Sequence, residues 1–197
     1  MREMIKLFVV VVIFSAFSGS LLAALHNATE EKIKIQEDNF IRGPALKKAM
    51  EGASNDPLLD KFELQDGEEI KSFFVGVFDG KPNAVALEAF GKGYEDKIGV
   101  IVAINLERDE IIGIGVTTNK ETPGVGKRIE TDISFSAQFK GRSIMDPLNI
   151  RSDGGQIDAI SGASFSSRGV CEALNATSGI YKRLKKEILK KAEAFRS

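Results

Sequence analysis

The chain has 197 residues, room for one ordinary domain and one additional element. Its 27 basic and 28 acidic residues nearly balance, which speaks against the basic excess of a nucleic-acid binder, so no nucleic-acid partner is expected. One cysteine, Cys171, and one histidine, His26, exclude an internal disulfide and a cysteine- or histidine-rich metal cluster.

The additional element comes first. Leu7 to Leu25 is a run of 19 residues without a charge, and a helix needs about 20 such residues to cross a hydrocarbon core of roughly 30 Å. Arg2 and Lys6 precede the run, and no lysine or arginine follows until Lys32. The positive-inside rule then places residues 1–6 in the cytoplasm and everything after His26 outside the cell membrane, in a single-pass topology. Ala23-Ala24 would suit a signal-peptide cleavage site. The run is longer than a usual signal core, which favours an uncleaved anchor over residues 1–25.

Residues 26–60 read as a linker and a helix that leads into the domain. Thr29-Glu30-Glu31-Lys32 suits the start of a short helix leaving the membrane. A second helix starts near Pro44, with Ala45, Leu46, Ala49 and Met50 as its apolar stripe. Gly52 ends it, and Asn55-Asp56-Pro57 marks a turn.

The domain proper is expected over residues 61–197. From Phe62 to about Thr118 the apolar pattern is that of strands. Ser72–Phe78 is followed by an Asp79-Gly80 turn, then Ala84–Phe90, a break at Gly91-Lys92-Gly93-Tyr94, and two β-branched runs, Ile98–Leu106 and Glu110–Thr117. These make an antiparallel meander of about four strands. Gly113 and Gly115 alternate within the last strand and mark a close approach by a backbone or a ligand. Glu130–Phe139 reads as a short helix and Ile144–Ile150 as a strand. Asp153-Gly154-Gly155 is a turn. From Phe165 onward, Val170, Leu174, Thr177, Tyr181, Leu184 and Ile188 recur on one face of a long helix. The fold class is therefore α+β: a transmembrane helix, then an antiparallel sheet with flanking helices.

Two segments carry candidate chemistry. Asn119–Lys127 contains Glu121-Thr122-Pro123-Gly124-Val125-Gly126, a shaped loop whose hydroxyl, amides and lysines can meet an anion or a ring, or simply turn the chain. Asp158–Ser167 packs Ser161, Gly162, Ala163, Ser164, Ser166 and Ser167 directly before the long helix. Small residues admit a bulky group, and a helix start favours a phosphate. The plainer reading is a helix cap. Cys171 reads as a core residue. The sequons at Asn27 and Asn175 read as chance matches, and the basic cluster Lys182–Lys191 as a solvated helix face.

In combination and order, the N-terminal anchor, Gly91-Lys92-Gly93-Tyr94, Glu121–Gly126 and Asp158…Ser161-Gly162-Ala163-Ser164 make the chain resemble the G subunit of the Rnf electron-transport complex. They also make it resemble a relative of that protein, the C subunit of the sodium-pumping NADH:quinone reductase. The resemblance covers about residues 1–195, and the length fits the Rnf protein better. It implies an FMN-binding domain with FMN attached covalently, as a phosphoester, to the last hydroxyl residue of an Asp-x-x-Ser/Thr-Gly-Ala-Thr motif, the work of a flavin transferase outside the cytoplasm. The matching acceptor is Ser164, a serine where threonine is commoner, with Ser166 the runner-up. Asp158, Ser161, Gly162 and Ala163 would serve recognition and make room for the phosphate. Glu121, Thr122, Pro123, Gly124 and Gly126 would lie near the flavin. The implied role is an electron-relaying subunit of an ion-translocating ferredoxin:NAD⁺ oxidoreductase, with integral-membrane partner subunits, membrane lipid around its anchor and no substrate site of its own. The alternatives are a free-standing anchored FMN carrier, a subunit of the quinone reductase, or a scaffold domain without flavin.

Overall fold

The computed structural model describes residues 1–195; residues 196–197, which the expected domain includes, lie outside the described residues. Two compact units result, Met1–Phe40 and the chain from Ile41 onward.

The first unit is one long helix, α1 (Arg2–Glu37), with every side chain of its apolar run exposed. At 1.5 Å per residue its 36 residues span about 54 Å. The helix expected to begin afresh at Thr29–Lys32 is instead part of α1. Neither glycine nor proline interrupts the chain between Ser20 and Arg42. The Thr29 hydroxyl donates back to the Leu25 carbonyl at 2.8 Å rather than capping a new start.

The second unit is a five-stranded antiparallel sheet in simple sequential order: β1 (Lys61–Asp66), β2 (Glu69–Phe78), β3 (Lys81–Lys92), β4 (Lys97–Asn105) and β5 (Glu110–Thr118). The Asp79-Gly80 turn holds both residues at positive φ, 53° and 73°, as a two-residue hairpin requires. β1 adds a strand to the expected four. Only Phe62 and Leu64 in it are buried, and Phe62 stacks on Phe73 at 5.5 Å. The strand expected over Ile144–Ile150 is absent. Ser143 and Ile150 make isolated bridges, to Glu110 and Ile157. Pro147 has no N–H to give a ladder, and the Asn175 side chain satisfies both backbone groups of Leu148, at 2.9 and 2.8 Å. The single helix expected over Glu130–Phe139 is two, α3 (Arg128–Thr131) and α4 (Ile133–Ala137). Asp132 between them is extended and caps α4 by accepting from the Ser134 and Phe135 amides.

Helices cover both faces of the sheet. α2 (Gly43–Ala49) lies on one, over Phe74, Ala84, Ala86, Ile101 and Ala103. α5 (Ser164–Glu193) crosses the other, over Phe73, Val85, Leu87, Val100 and Val102. The predicted helical face is buried at all six positions, from Val170 to Ile188. Two glycine contacts set the spacing. A Cβ on Gly115 would stand 2.1 Å from the Ala45 carbonyl oxygen, so the glycine pair of β5 receives α2 and not a ligand. A Cβ on Gly91 would stand 1.9 Å from the Gly169 carbonyl oxygen, so α5 touches β3 backbone to backbone. That second approach brings the first turn of α5 to the β3–β4 turn.

Candidate functional site

Three segments meet at the start of α5: the β3–β4 turn (93–96), the loop after β5 (119–127) and the turn 161–163. Each is held by its own bonds. The Gly93 amide donates to the Asp96 carbonyl at 2.9 Å. The Thr122 carbonyl accepts from the amides of Val125 and Lys127, at 3.2 and 3.1 Å, around Gly124 at φ 75°. Gly162 turns at φ 80° before the helix. Lys120 bridges the first two segments through Asp96 at 2.7 Å, and this bond holds the Asp96 carboxyl below its usual range.

Glu121 lies at the centre, 4% exposed. One carboxylate oxygen, Oε1, accepts from the backbone amides of Tyr94 and Glu95, at 2.9 and 3.3 Å. The other, Oε2, accepts from the Ser166 hydroxyl at 2.5 Å. The glycines nearby leave room for that carboxylate. A Cβ on Gly93 would come within 2.3 Å of Oε1, and one on Gly126 within 2.9 Å of Oε2.

The four hydroxyls of the serine-rich stretch divide into two pairs. Ser166 and Ser167 are buried. Ser167 Oγ accepts from the Ile160 amide and donates to the Ala163 carbonyl. Ser161 and Ser164 are exposed. The capping role expected of these hydroxyls is not filled at the helix start: Ala163 is the N-cap residue and no side chain caps the helix. The first amides of α5 therefore stay outside its own ladder, and no side chain takes them up, while Ser164 beside them is exposed. Ser164, Glu121, Thr122, Gly126, Gly162, Ala163 and Ser166 border a common cavity of about 170 Å³. Pro123 and Gly124 sit exposed in the loop without bordering it. Ser161 is in the turn before the helix. Asp158 is also outside the cavity, exposed and paired with Arg151 at 2.7 Å, while its amide donates to Gln138.

Three apolar side chains at the rim were not among the site residues expected from the sequence, although Tyr94 and Val125 lie in its motifs. Tyr94, Phe165 and Val125 are 68%, 60% and 42% exposed and all border the cavity. The Tyr94 and Phe165 rings meet edge to face at 6.1 Å. Arg168 lies 5.3 Å over the Phe165 ring and forms a forked pair with Asp153, at 2.6 and 2.9 Å. A phenylalanine set between two serines in the first turn of a helix was the available signal. Cys171 is buried among apolar neighbours, and burial pushes its thiol up to about 12, which suits a core residue.

The residues fit the phosphate end of a flavin mononucleotide. An exposed hydroxyl stands first in a 30-residue helix with no cap, small residues precede it, and an apolar rim adjoins it.

A family model described as the FMN-binding domain matches residues 93–178, the span that contains all three segments. The G subunit of the ion-translocating oxidoreductase complex of Methanosarcina acetivorans is 29% identical over 177 residues, 89% of this chain and 93% of that protein. The protein of the same description from a Cereibacter sphaeroides strain is 31% identical over 185 residues, 90% of this chain and 84% of that one. Among solved structures, the C subunit of the Na⁺-translocating NADH-quinone reductase from Parabacteroides distasonis superposes with a TM-score of 0.63 at 23% identity, over 79% of this chain and 96% of that one; it shares the fold.

Proposed function

The chain belongs to the family of the G subunits of ion-translocating oxidoreductase complexes, and from that membership we propose that it is an FMN-bearing electron carrier within such a complex, held to the membrane by α1. The flavin, when bound, supplies the redox chemistry. The chain's own residues bind and orient it. The observation that carries this reading is the exposed Ser164 hydroxyl at the uncapped start of α5, inside the matched FMN-binding span.

Ser164 is the proposed covalent attachment point. Ser164 Oγ would hold the flavin's own phosphate as a phosphoester. The Oγ–P bond would form at the flavin-side phosphorus of a phosphoanhydride donor as its P–O bond to the second phosphate breaks. That second phosphate would leave with the electron pair, and the Ser164 proton would pass to a base of the flavin transferase. The negative phosphoester would then rest on the helix's first amides, where the macrodipole favours an anion. Gly162 and Ala163 leave it room. Glu121, Thr122, Gly126 and Ser166 form the floor and wall of the site. Pro123 and Gly124 shape the loop, and Asp158 and Ser161 offer the transferase an exposed approach.

The apolar run of α1 fits a membrane anchor in contact with lipid, and residues 26–60 connect it to the carrier domain. Arg2 and Lys6 favour a cytoplasmic N-terminus and an extracytoplasmic domain. A carrier with one helix and one flavin needs integral-membrane partner subunits to couple electron flow to ion movement. Mild-detergent purification tests this. A flavin-fluorescent band at this chain's size within a complex of membrane subunits supports it, and a lone chain without flavin overturns it.

A further inference from the structure

Tyr94, Val125 and Phe165 form an exposed apolar rim on one cavity with Ser164. Side chains that large gain by being covered, because apolar surface is removed from water. The rim is also held from below. Glu121 Oε1 binds the amides of Tyr94 and Glu95, and Oε2 binds Ser166, one residue beyond Phe165. A single buried carboxylate thus holds the backbone at Tyr94 and the side chain of the residue that follows Phe165. Gly93 and Gly126 lack side chains where a Cβ would strike it. A loop that only had to turn would need neither the buried carboxylate nor its two glycines.

We infer that the Tyr94 ring is the face against which the isoalloxazine of the chain's own tethered flavin rests, and that Glu121 is the positioning residue that holds Tyr94 there. This rests on the flavoprotein reading. The occupant follows from the tether: Ser164 borders the same cavity as the rim, so a group esterified there stays beside it. Phe165 completes the face through its edge-to-face contact with Tyr94 at 6.1 Å. The Glu121–Ser166 bond keeps the loop and the first turn of α5 together, which sets the ring pair and the acceptor hydroxyl in one frame.

The two aromatic residues give the idea a spectroscopic handle. A phenol in contact with an excited flavin quenches its fluorescence by lending it an electron, which returns without net oxidation; a phenylalanine ring does not. The experiment uses the full-length chain matured with a flavin transferase. Intact mass first establishes FMN on each variant, and flavin fluorescence is then compared between folded and urea-unfolded protein. Folded wild type should be several-fold dimmer than unfolded. Tyr94→Phe keeps the ring packing and should brighten the folded protein several-fold at equal flavin content. Glu121→Ala should brighten it too. Glu121→Gln should stay dim, because its amide oxygen still accepts from the Tyr94 amide and its NH₂ can donate to Ser166. A folded wild type as bright as the unfolded chain, or an unchanged Tyr94→Phe, overturns the assignment of Tyr94. Equal brightening by Gln and Ala at position 121 overturns the positioning role. A wild-type chain without the FMN mass increment removes the flavoprotein reading itself, a separate outcome.

Discussion

The Ser166 hydroxyl donates to Glu121 Oε2 at 2.5 Å across 45 positions of sequence, and this one bond joins the loop after β5 to the first turn of α5. With the Tyr94 and Glu95 amides on its other oxygen, Glu121 closes a three-way junction on the cavity that Ser164 also borders.

Removing that carboxylate should cost more than a single hydrogen bond. Glu121→Ala strands a buried hydroxyl and two amides, and it should lower stability by about 2–4 kcal/mol. In a unit of this size that is a fall in Tm on the order of 10 °C. Glu121→Gln keeps partners for all three groups and should cost about 1 kcal/mol. Thermal unfolding followed by circular dichroism separates the two. Equal losses would show that the charge, and not the bridging, sustains the junction.

The glycine contacts make a prediction about packing. Gly115→Ala drives a methyl group into the Ala45 carbonyl oxygen, 2.1 Å from the ideal Cβ position. α2 must then shift off the sheet, at about 1–3 kcal/mol. Gly80→Ala meets no neighbour within 4 Å but holds φ at 73°, so it is penalised only by its backbone, by about 1–2 kcal/mol. Urea unfolding reads both. A repacked α2 in the Gly115 variant, detectable as altered hydrogen exchange over Gly43–Ala49, would distinguish clash from simple destabilisation.

Acid should weaken the anchorage of α5. Burial pushes the Asp109 carboxyl up, but hydrogen bonds from Lys185 and Tyr181 outweigh it and hold the group below its usual range. A carboxyl depressed in the folded state adds stability that is present above its unfolded pKa, about 3.9, and is lost as pH falls through the lower folded value. Asp109→Asn should therefore be less stable than wild type at pH 7, with the gap narrowing below about pH 4. Asparagine tolerates the positive φ of 56° at this position, so the backbone is not the cause. Urea midpoints at pH 7 and pH 3 test this, and a gap independent of pH contradicts it.

Cys171 should be inert while the domain is folded. Its thiol is buried and its pKa pushed up to about 12, and the thiolate is the reactive form. Iodoacetamide at pH 8 should label it only after unfolding. Labelling of the folded chain would place the first turns of α5 in exchange with an open state.

Much of this was legible in the residues, for reasons that differ by element. The α5 face was readable because Val170 to Ile188 keep a helical period over five turns. The β2–β3 hairpin was readable from Asp79-Gly80, and the close approach at Gly113 and Gly115 from the cost of glycine in a strand. β1 was not, because an edge strand with two buried residues in six carries little apolar signal. The false strand at Ile144–Ile150 had the right composition, but its backbone is satisfied by a side chain, Asn175, from a distant helix. At the site, the motifs pointed to Glu121 and Ser164 as residues. They gave no sign that Ser166 faces inward to Glu121 while Ser164 faces out, because that depends on how α5 is rotated against β3 at Gly91 and Gly169. Nor did they single out Tyr94, whose place depends on a bond from a loop 27 residues away.

The most direct test of the account is the intact mass of the full-length chain after maturation with a flavin transferase, wild type beside Ser164→Ala and Ser166→Ala. Wild type should carry one covalent FMN increment, Ser166→Ala should retain it and Ser164→Ala should lose it. An increment that survives in Ser164→Ala, or is missing from wild type, would contradict the account.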